Sequence, residues 1–281
     1  MKVPFQVDLN GKVAVVTGGG GVLCSILGKA LAQCGAKVAL LDRNLDLAQG
    51  FADEIVKDGG IAKGYYCDVL NREAIEKAHE EILKDFGPCD ILVNGAGGNN
   101  PKATTDNEFF RPEDRDQMKT FFDLDVEGVE FVFNLNYLGT LLPTQVFSTD
   151  MINRKGANII NISSMNAFTP LTKIPAYSGA KAAVSNLTQW LAVHFSQVGI
   201  RCNALAPGFF VTKQNQKLLF NEDGTPTARS EKILRNTPMG RFGEAEELVG
   251  TLLYLVSEEA AGFVNGVVIP VDGAFSAYSG V

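Results

Sequence analysis

Tyr177 and Lys181 stand four residues apart in Ala176-Tyr177-Ser178-Gly179-Ala180-Lys181. On a helix that spacing puts both on one face, one turn apart, so an ammonium lies beside a phenol. A free phenol titrates near ~10 and is a poor base at neutral pH. A positive charge about 4 Å away is worth on the order of 4 kcal/mol at an effective dielectric of about 20, or roughly three pKa units. The pair therefore has the elements of an acid–base catalyst. In isolation the same spacing also describes a surface pair, with the lysine stem laid along the helix. The elements around it decide between the two.

The first of those elements is a β-branched run, Lys12 to Thr17, that ends in four glycines, Gly18 to Gly21. Val22, Leu23, Ile26, Leu27, Ala30 and Leu31 then form a helical apolar stripe that stops at Gly35, and Ala36 to Asp42 reads as a second strand. Strand, bare turn, helix and strand make a βαβ unit in which a phosphate can approach the helix N-terminus. Asp42 closes the second strand, 24 positions after Gly18, where a carboxylate can accept the ribose hydroxyls of an adenosine. A carboxylate there repels a 2′-phosphate and favours NAD over NADP. Arg43 follows at once and is the residue that could hold a 2′-phosphate instead; a tight turn with a solvated Asp is the other reading.

The alternation continues. Asn44 caps a helix carrying Leu47, Phe51 and Ile55 on its inner face, and Ile61 to Tyr66 is a third strand leading to Cys67-Asp68-Val69. Asn71 caps the next helix, with Ile75, Ala78 and Ile82 inward and Gly87-Pro88 at its end. Further strands are expected at Ile91 to Val93, Ala157 to Ile162, Ile200 to Leu205 and Gly266 to Val271, with a long helix over Ala176 to Val198. Continuous apolar strands between amphipathic helices imply an α/β fold: a Rossmann-type, doubly wound parallel sheet of about seven strands with helices on both faces. No linker, repeat or low-complexity tract interrupts residues 1–281, which read as a single domain.

Composition narrows the functional classes. A net charge of -7 argues against nucleic-acid or anionic-membrane partners. No apolar run approaches the ~18 residues of a membrane span, and the start, Met1 to Asn10, lacks the core of a signal peptide. The five cysteines, Cys24, Cys34, Cys67, Cys89 and Cys202, show no metal-like clustering and suit free thiols in a reducing cytoplasm. With only His79 and His194 available, no metal site is expected.

Taken in order, these pieces match a known pattern: Thr17 to Cys24, Asp68-Val69, Asn94-Gly95-Ala96-Gly97, Asn136 with Gly139, Ser164, Tyr177 with Lys181, and Pro207-Gly208 with Thr212. The chain resembles the classical short-chain dehydrogenases/reductases over nearly its full length. The resemblance implies that Gly18, Gly20, Gly21 and Val22 surround a pyrophosphate, that Asp68 and Val69 meet an adenine, and that Asn94, Gly95 and Ala96 lie along the cofactor. Pro207, Gly208 and Thr212 would hold the nicotinamide carboxamide. Tyr177 would carry the proton, Lys181 would lower its pKa and bind the nicotinamide ribose, and Ser164 rather than Ser163 would hydrogen-bond the reacting oxygen. Asn136 would anchor a water joining Lys181 to solvent; alone, it reads as a kinking or capping residue. The chain departs from the family at Val22 and Cys24, where the glycine pattern has Gly, and at Gly95, where a second Asn is common.

Several stretches further resemble the bacterial D-mannonate oxidoreductases (fructuronate reductases), notably Gly97 to Thr105, Ser163 to Phe168, Thr188 to Phe195, Pro207 to Phe210 and Ala274 to Val281. That resemblance implies an NAD-dependent interconversion of D-mannonate and D-fructuronate in hexuronate catabolism. A polyhydroxylated acid needs amide and cationic contacts, so Asn99, Lys102, Asn166 and Lys173 are the substrate candidates, with Lys102 or Lys173 as the carboxylate partner. Two segments exceed the family minimum. An insertion near 100–127 reads as a lid, an intersubunit arm or a plain surface loop; a polar loop near 213–238 is expected to close over substrate. The apolar tail from Ala274 suits a subunit interface in a homotetramer, the family's usual assembly. Competing functions are a gluconate 5-dehydrogenase, a ketoacyl reductase, against which Asp42 and the net charge argue, and a non-catalytic NAD-binding regulator, whose usual mark would be a broken tetrad.

Overall fold

The structure is a computed structural model and describes residues 6–212 and 216–280. Met1 to Phe5, the first three residues of the expected substrate loop (Lys213, Gln214 and Asn215) and the last residue of the tail, Val281, lie outside the described residues.

Seven strands form one sheet: β1 (Val13–Thr17), β2 (Lys37–Asp42), β3 (Ile61–Tyr66), β4 (Ile91–Asn94), β5 (Asn158–Ile162), β6 (Arg201–Pro207) and, after a short β7 (Phe210–Val211) and β8 (Gly243–Glu244) that pair with each other, β9 (Val268–Val271). Every pairing is parallel and the order is β3-β2-β1-β4-β5-β6-β9. The chain starts at the centre, winds out to β3, then returns to place β4 on the other side of β1. That reversal between β1 and β4 opens a crevice at the carboxyl ends of the strands.

Alternation along the strands divides the core. Ala14, Val16, Val38, Leu40, Ile91 and Val93 face one side with α1 (Val22–Gln33), α2 (Leu45–Lys57) and, later in the chain, α9 (Val249–Val256). Val13, Val15, Ala39, Leu41 and Leu92 face the other, against α3 (Arg72–Asp85), α5 (Gly139–Met151) and α6 (Pro175–His194). Residues buried on both faces explain why the strands read as unbroken apolar runs.

Both expected caps form: Leu47 N donates to Asn44 Oδ1 at 3.3 Å and Ala74 N to Asn71 Oδ1 at 3.2 Å. The inner face of α2 differs from expectation. Leu47 is exposed and Phe51 only partly buried, while Ala48, Ala52 and Ile55 point inward. The small alanines let α2 approach β3, where a Cβ on Gly64 would lie 2.6 Å from Gln49 N.

Three stretches for which no helix was expected are helical. α4 (Val126–Phe133) runs through a π turn at Asn134–Leu138 directly into α5. Beyond β7, α7 (Gln216–Leu219) and α8 (Ala228–Arg235) form an outer wall, and α10 (Glu258–Ala261) follows α9. The segment before α4 is three 3₁₀ turns, Pro101–Ala103, Pro112–Asp114 and Phe121–Asp123. No helix among the described residues is long and apolar enough to cross a membrane.

Candidate active site

A cleft of about 900 Å³ occupies the crevice above β1 and β4. Gly18 makes the turn out of β1 with φ +67°, and a Cβ there would lie 2.9 Å from Ala96 N. Its replacement by any L-residue would collide with the β4 loop and strain the backbone. Gly21 is the N-cap of α1 and offers no side chain to the helix, and the first turn carries no acid. The free N–H groups of that turn are therefore left for an anion. Gly18, Gly21, Val22, Leu23 and Cys24 all line the cleft. Gly20 does not: its N–H donates to Asp42 Oδ2 at 3.0 Å.

Asp42 ends β2 at the cleft, beside Arg43, Asp68 and Val69. It accepts from Gly20 N and, at 2.8 Å, from Asn44 N, so the carboxylate shapes the glycine turn as well as facing the cleft. Two of its roughly four acceptor sites remain for a ligand's hydroxyls.

The β4 loop reaches the cleft through Gly95, Ala96, Gly97, Gly98 and Asn99. Asn94 does not, contrary to expectation. It is buried and donates through Nδ2 to Thr144 Oγ1 and Asn161 Oδ1, each at 2.9 Å. Its place in the β4 alternation sends it the way of Leu92, under α5. Thr17, the first residue of the glycine-loop motif, fixes the β4 loop from below: its Oγ1 accepts from Gly95 N at 3.1 Å and Ala96 N at 3.3 Å. Two of the three departures from the family pattern, Cys24 and Gly95, turn out to be neighbours. A Cβ on Gly95 would lie 2.1 Å from Cys24 Sγ, so the missing side chain at one position makes room for the extra one at the other. Burial pushes the Cys24 thiol up to about 12, which keeps it protonated.

Tyr177 and Lys181 both lie on α6, and the Ser164 hydroxyl, two residues beyond β5, acts on the Tyr177 phenol and accepts from Asn166 N at 3.2 Å. Ser163 is turned away, donating to Lys181 O at 3.2 Å and lying 2.7 Å from Ser185 Oγ. Lys181 is 4 % exposed, and its Nζ donates to Ile162 O at 2.7 Å. Burial brings its pKa down to about 8. Burial also raises the Tyr177 pKa, opposed by the Ser164 hydrogen bond. The expected lowering of the phenol by Lys181 is absent: Nζ is 5.7 Å from the ring centroid and is held by a strand carbonyl. Desolvation favours the neutral form of each partner.

Asn136 is fully buried inside the π turn, a form of turn that recurs at functional sites. It donates to Gly98 O at 2.7 Å and Val132 O at 2.8 Å, and accepts from Gly98 N at 3.3 Å. Its side chain thus grips the β4 loop rather than pointing toward solvent. A Cβ on Gly97 would fall 2.6 Å from Asn136 Oδ1 and 3.1 Å from Lys181 Nζ, so the loop, the π turn and α6 meet at one point.

On the far wall, Gly208, Phe209, Phe210 and Thr212 line the cleft, while Pro207 is the buried last residue of β6. Of the four substrate candidates only Asn99 reaches it. Lys102 is drawn to Asp125 and Glu127, each at 3.9 Å, on the surface. Lys173 is exposed with φ +72°, and its carbonyl accepts from Thr105 N at 2.9 Å. Asn166 is 4 % exposed, and its Oδ1 has no hydrogen-bond partner. Arg229, from α8, does line the cleft and was not anticipated. The start of the tail touches its own chain, with Phe275 edge-on to Phe209 at 5.2 Å and Thr169 Oγ1 donating to Ser276 O at 3.2 Å, while Ala277 to Gly280 are exposed.

The residues present suit a dinucleotide: a left-handed glycine turn, an uncapped helix start, and a carboxylate at the end of the second strand. Among the described residues, no group of three or more His, Cys, Asp or Glu is placed to hold a metal. The family model for short chain dehydrogenase matches residues 12–223. The chain belongs to the short-chain dehydrogenases. It is therefore an NAD(P)-dependent oxidoreductase acting on CH–OH groups. This short-chain dehydrogenase is 64% identical to an uncharacterized oxidoreductase of Haemophilus influenzae over 100% of its own length and 99% of the other's. It is 35% identical to the gluconate 5-dehydrogenase of Gluconobacter oxydans, covering 98% of this chain and 99% of that one. It superposes with a TM-score of 0.94, at 65% identity and 98% coverage of each chain, on a Haemophilus influenza protein provisionally assigned as a D-mannonate oxidoreductase and solved with NAD bound.

Proposed function

We propose that this short-chain dehydrogenase interconverts D-mannonate and D-fructuronate with NAD. The observation that carries the chemistry is Tyr177 on the wall of a cleft that also holds Asp42, with Ser164 and Lys181 buried beside it. NAD, when bound, exchanges a hydride with the sugar carbon. The chain's own residues handle the oxygen and the proton. Ser164 orients the carbonyl oxygen through its hydroxyl. Tyr177, a protonated phenol whose pKa burial raises further, delivers its proton to that oxygen in the reducing direction and recovers it from the alcohol in the other. Lys181 supplies positive charge beneath the phenol, and Asn136 fixes the loop that borders both. Asp42 favours NAD over NADP, since a 2′-phosphate would meet its charge.

Support for a sugar acid comes from the relatives: the similar structure provisionally assigned to D-mannonate, and the gluconate 5-dehydrogenase. The latter also supports a second reading, oxidation of gluconate at C5. A screen of NADH oxidation with D-fructuronate, D-tagaturonate, 5-keto-D-gluconate and 2-keto sugar acids, repeated with NADPH, decides. D-Fructuronate with NADH is expected to give the highest kcat/KM. Turnover of 5-keto-D-gluconate without turnover of D-fructuronate would replace the first reading by the second. The same reading makes residues 1–281 one catalytic domain of a cytoplasmic homo-oligomer, with a tetramer expected. Exposed Phe133, Trp190 and Val193 on α4 and α6 support association, and light scattering measures it.

A further inference from the structure

We infer that Arg229 receives the carboxylate of the substrate, an assignment that rests on the sugar-acid reading above. Among the described residues, two cationic side chains line the cleft, Arg43 and Arg229. Arg43 follows Asp42 at the end that would take the adenosine ribose. Arg229 comes from the opposite wall, with Phe209, Phe210, Thr212 and Leu219. The acids lining the cleft, Asp42 and Asp68, belong to the first end, so Arg229 faces no carboxylate of the protein's own.

Its neighbours in the chain differ from it in one respect. Lys232 is paired with Glu108, Arg235 with Glu231 at 3.4 Å, and Arg241 with Glu247 at 2.6 Å. Arg229 has neither an ion pair nor a hydrogen bond among the described residues. Among the described cationic side chains of this wall, the one without an internal partner is thus the one that borders the cleft. A guanidinium offers a planar fork of donors that a sugar carboxylate can engage through both oxygens. Lys102 and Lys173, which the sequence suggested for this task, lie outside the cleft and leave it to Arg229.

The test is calorimetric, so that it needs no turnover. D-Mannonate, D-gluconate and the neutral D-mannitol are titrated into enzyme saturated with NADH, for the wild type, Arg229→Gln and Arg229→Lys. The wild type should bind D-mannonate at least about 10-fold more tightly than D-mannitol, and Arg229→Gln should lose roughly 10- to 100-fold in D-mannonate affinity, with Arg229→Lys between them. Undiminished D-mannonate binding by Arg229→Gln overturns the inference while leaving the proposed reaction standing. So does a selective loss of NADH affinity, which would assign the guanidinium to the cofactor phosphates. No preference for either acid over D-mannitol in the wild type overturns both. Arg229-dependent binding of D-gluconate without binding of D-mannonate keeps the assignment and moves the substrate to gluconate chemistry.

Discussion

Tyr177 and Lys181 are both held toward their neutral forms by burial, which makes the site costly to fold and ready for proton transfer. Tyr177→Phe removes the transferable proton without changing the packing. It should lower kcat by roughly 10²- to 10⁴-fold with little change in NADH affinity, measured by fluorescence titration. Lys181 carries the clearer pH signature. Its pKa in the folded chain is about 8, below the ordinary 10.5. Below pH 8 the folded state bears the full cost of a desolvated charge. Between pH 8 and 10.5 the unfolded chain binds more protons than the folded one, so stability rises with pH in that window. Lys181→Met abolishes the dependence. The stability of the variant relative to wild type should therefore fall by on the order of 2 kcal/mol between pH 7 and pH 9.5, in denaturant titrations without cofactor; a pH-independent difference would refute the assignment. Much of this site was legible in advance, because Ser164, Tyr177 and Lys181 have side chains whose chemistry is rare together. Asn94 was misplaced because its direction depends on which face of β4 it occupies, and Arg229 was missed because nothing in the polar segment 213–238, expected to cover the substrate, marks which of its side chains faces the cleft.

At the level of elements, the insertion before α4 and the wall formed by α8 touch. Glu108 in the former pairs with Lys232 in the latter, and Phe110, Phe121 and Phe122 stack edge-on beside Arg115. An exposed ion pair contributes little to global stability, roughly 0–1 kcal/mol. Its effect should instead appear where the two segments border the cleft. Glu108→Lys is expected to raise the KM for the sugar acid several-fold with kcat and NADH affinity nearly unchanged. The reciprocal pair Glu108→Lys with Lys232→Glu should restore it; failure of that rescue would count the contact as incidental. The βαβ units were readable because caps and apolar periods agree, as at Asn44 and Asn71. The stretch from Val126 to Met151 was not, because Gly128, Gly139 and Pro143 interrupt its sequence and apolar residues surround it on all sides, leaving no single stripe to read.

The whole molecule folds around the reversal between β1 and β4, and a bound cofactor bridges the two halves that meet there. At a concentration about 100 times its Kd, NADH should stabilise the chain by roughly 2.7 kcal/mol and raise Tm by about 5–10 °C, read by scanning calorimetry. An equal shift with NADPH at the same concentration would argue against the role given to Asp42. The seven-stranded sheet was legible because its strands are buried on both faces. One local feature, the widened turn at Asn134–Leu138, makes the site depend on residue count as well as residue type. An α-helix rotates about 100° per residue, and a π turn stores one residue more than the regular helix holds. Deleting Leu135, a single in-frame codon, would let α4 and α5 close into one uninterrupted helix. Either the Gly128 and Val132 face or the Asn136 grip on Gly98 could then be satisfied, but not both. The deletion should keep its helical circular dichroism and lose its activity, an inactivation by register that no substitution reproduces.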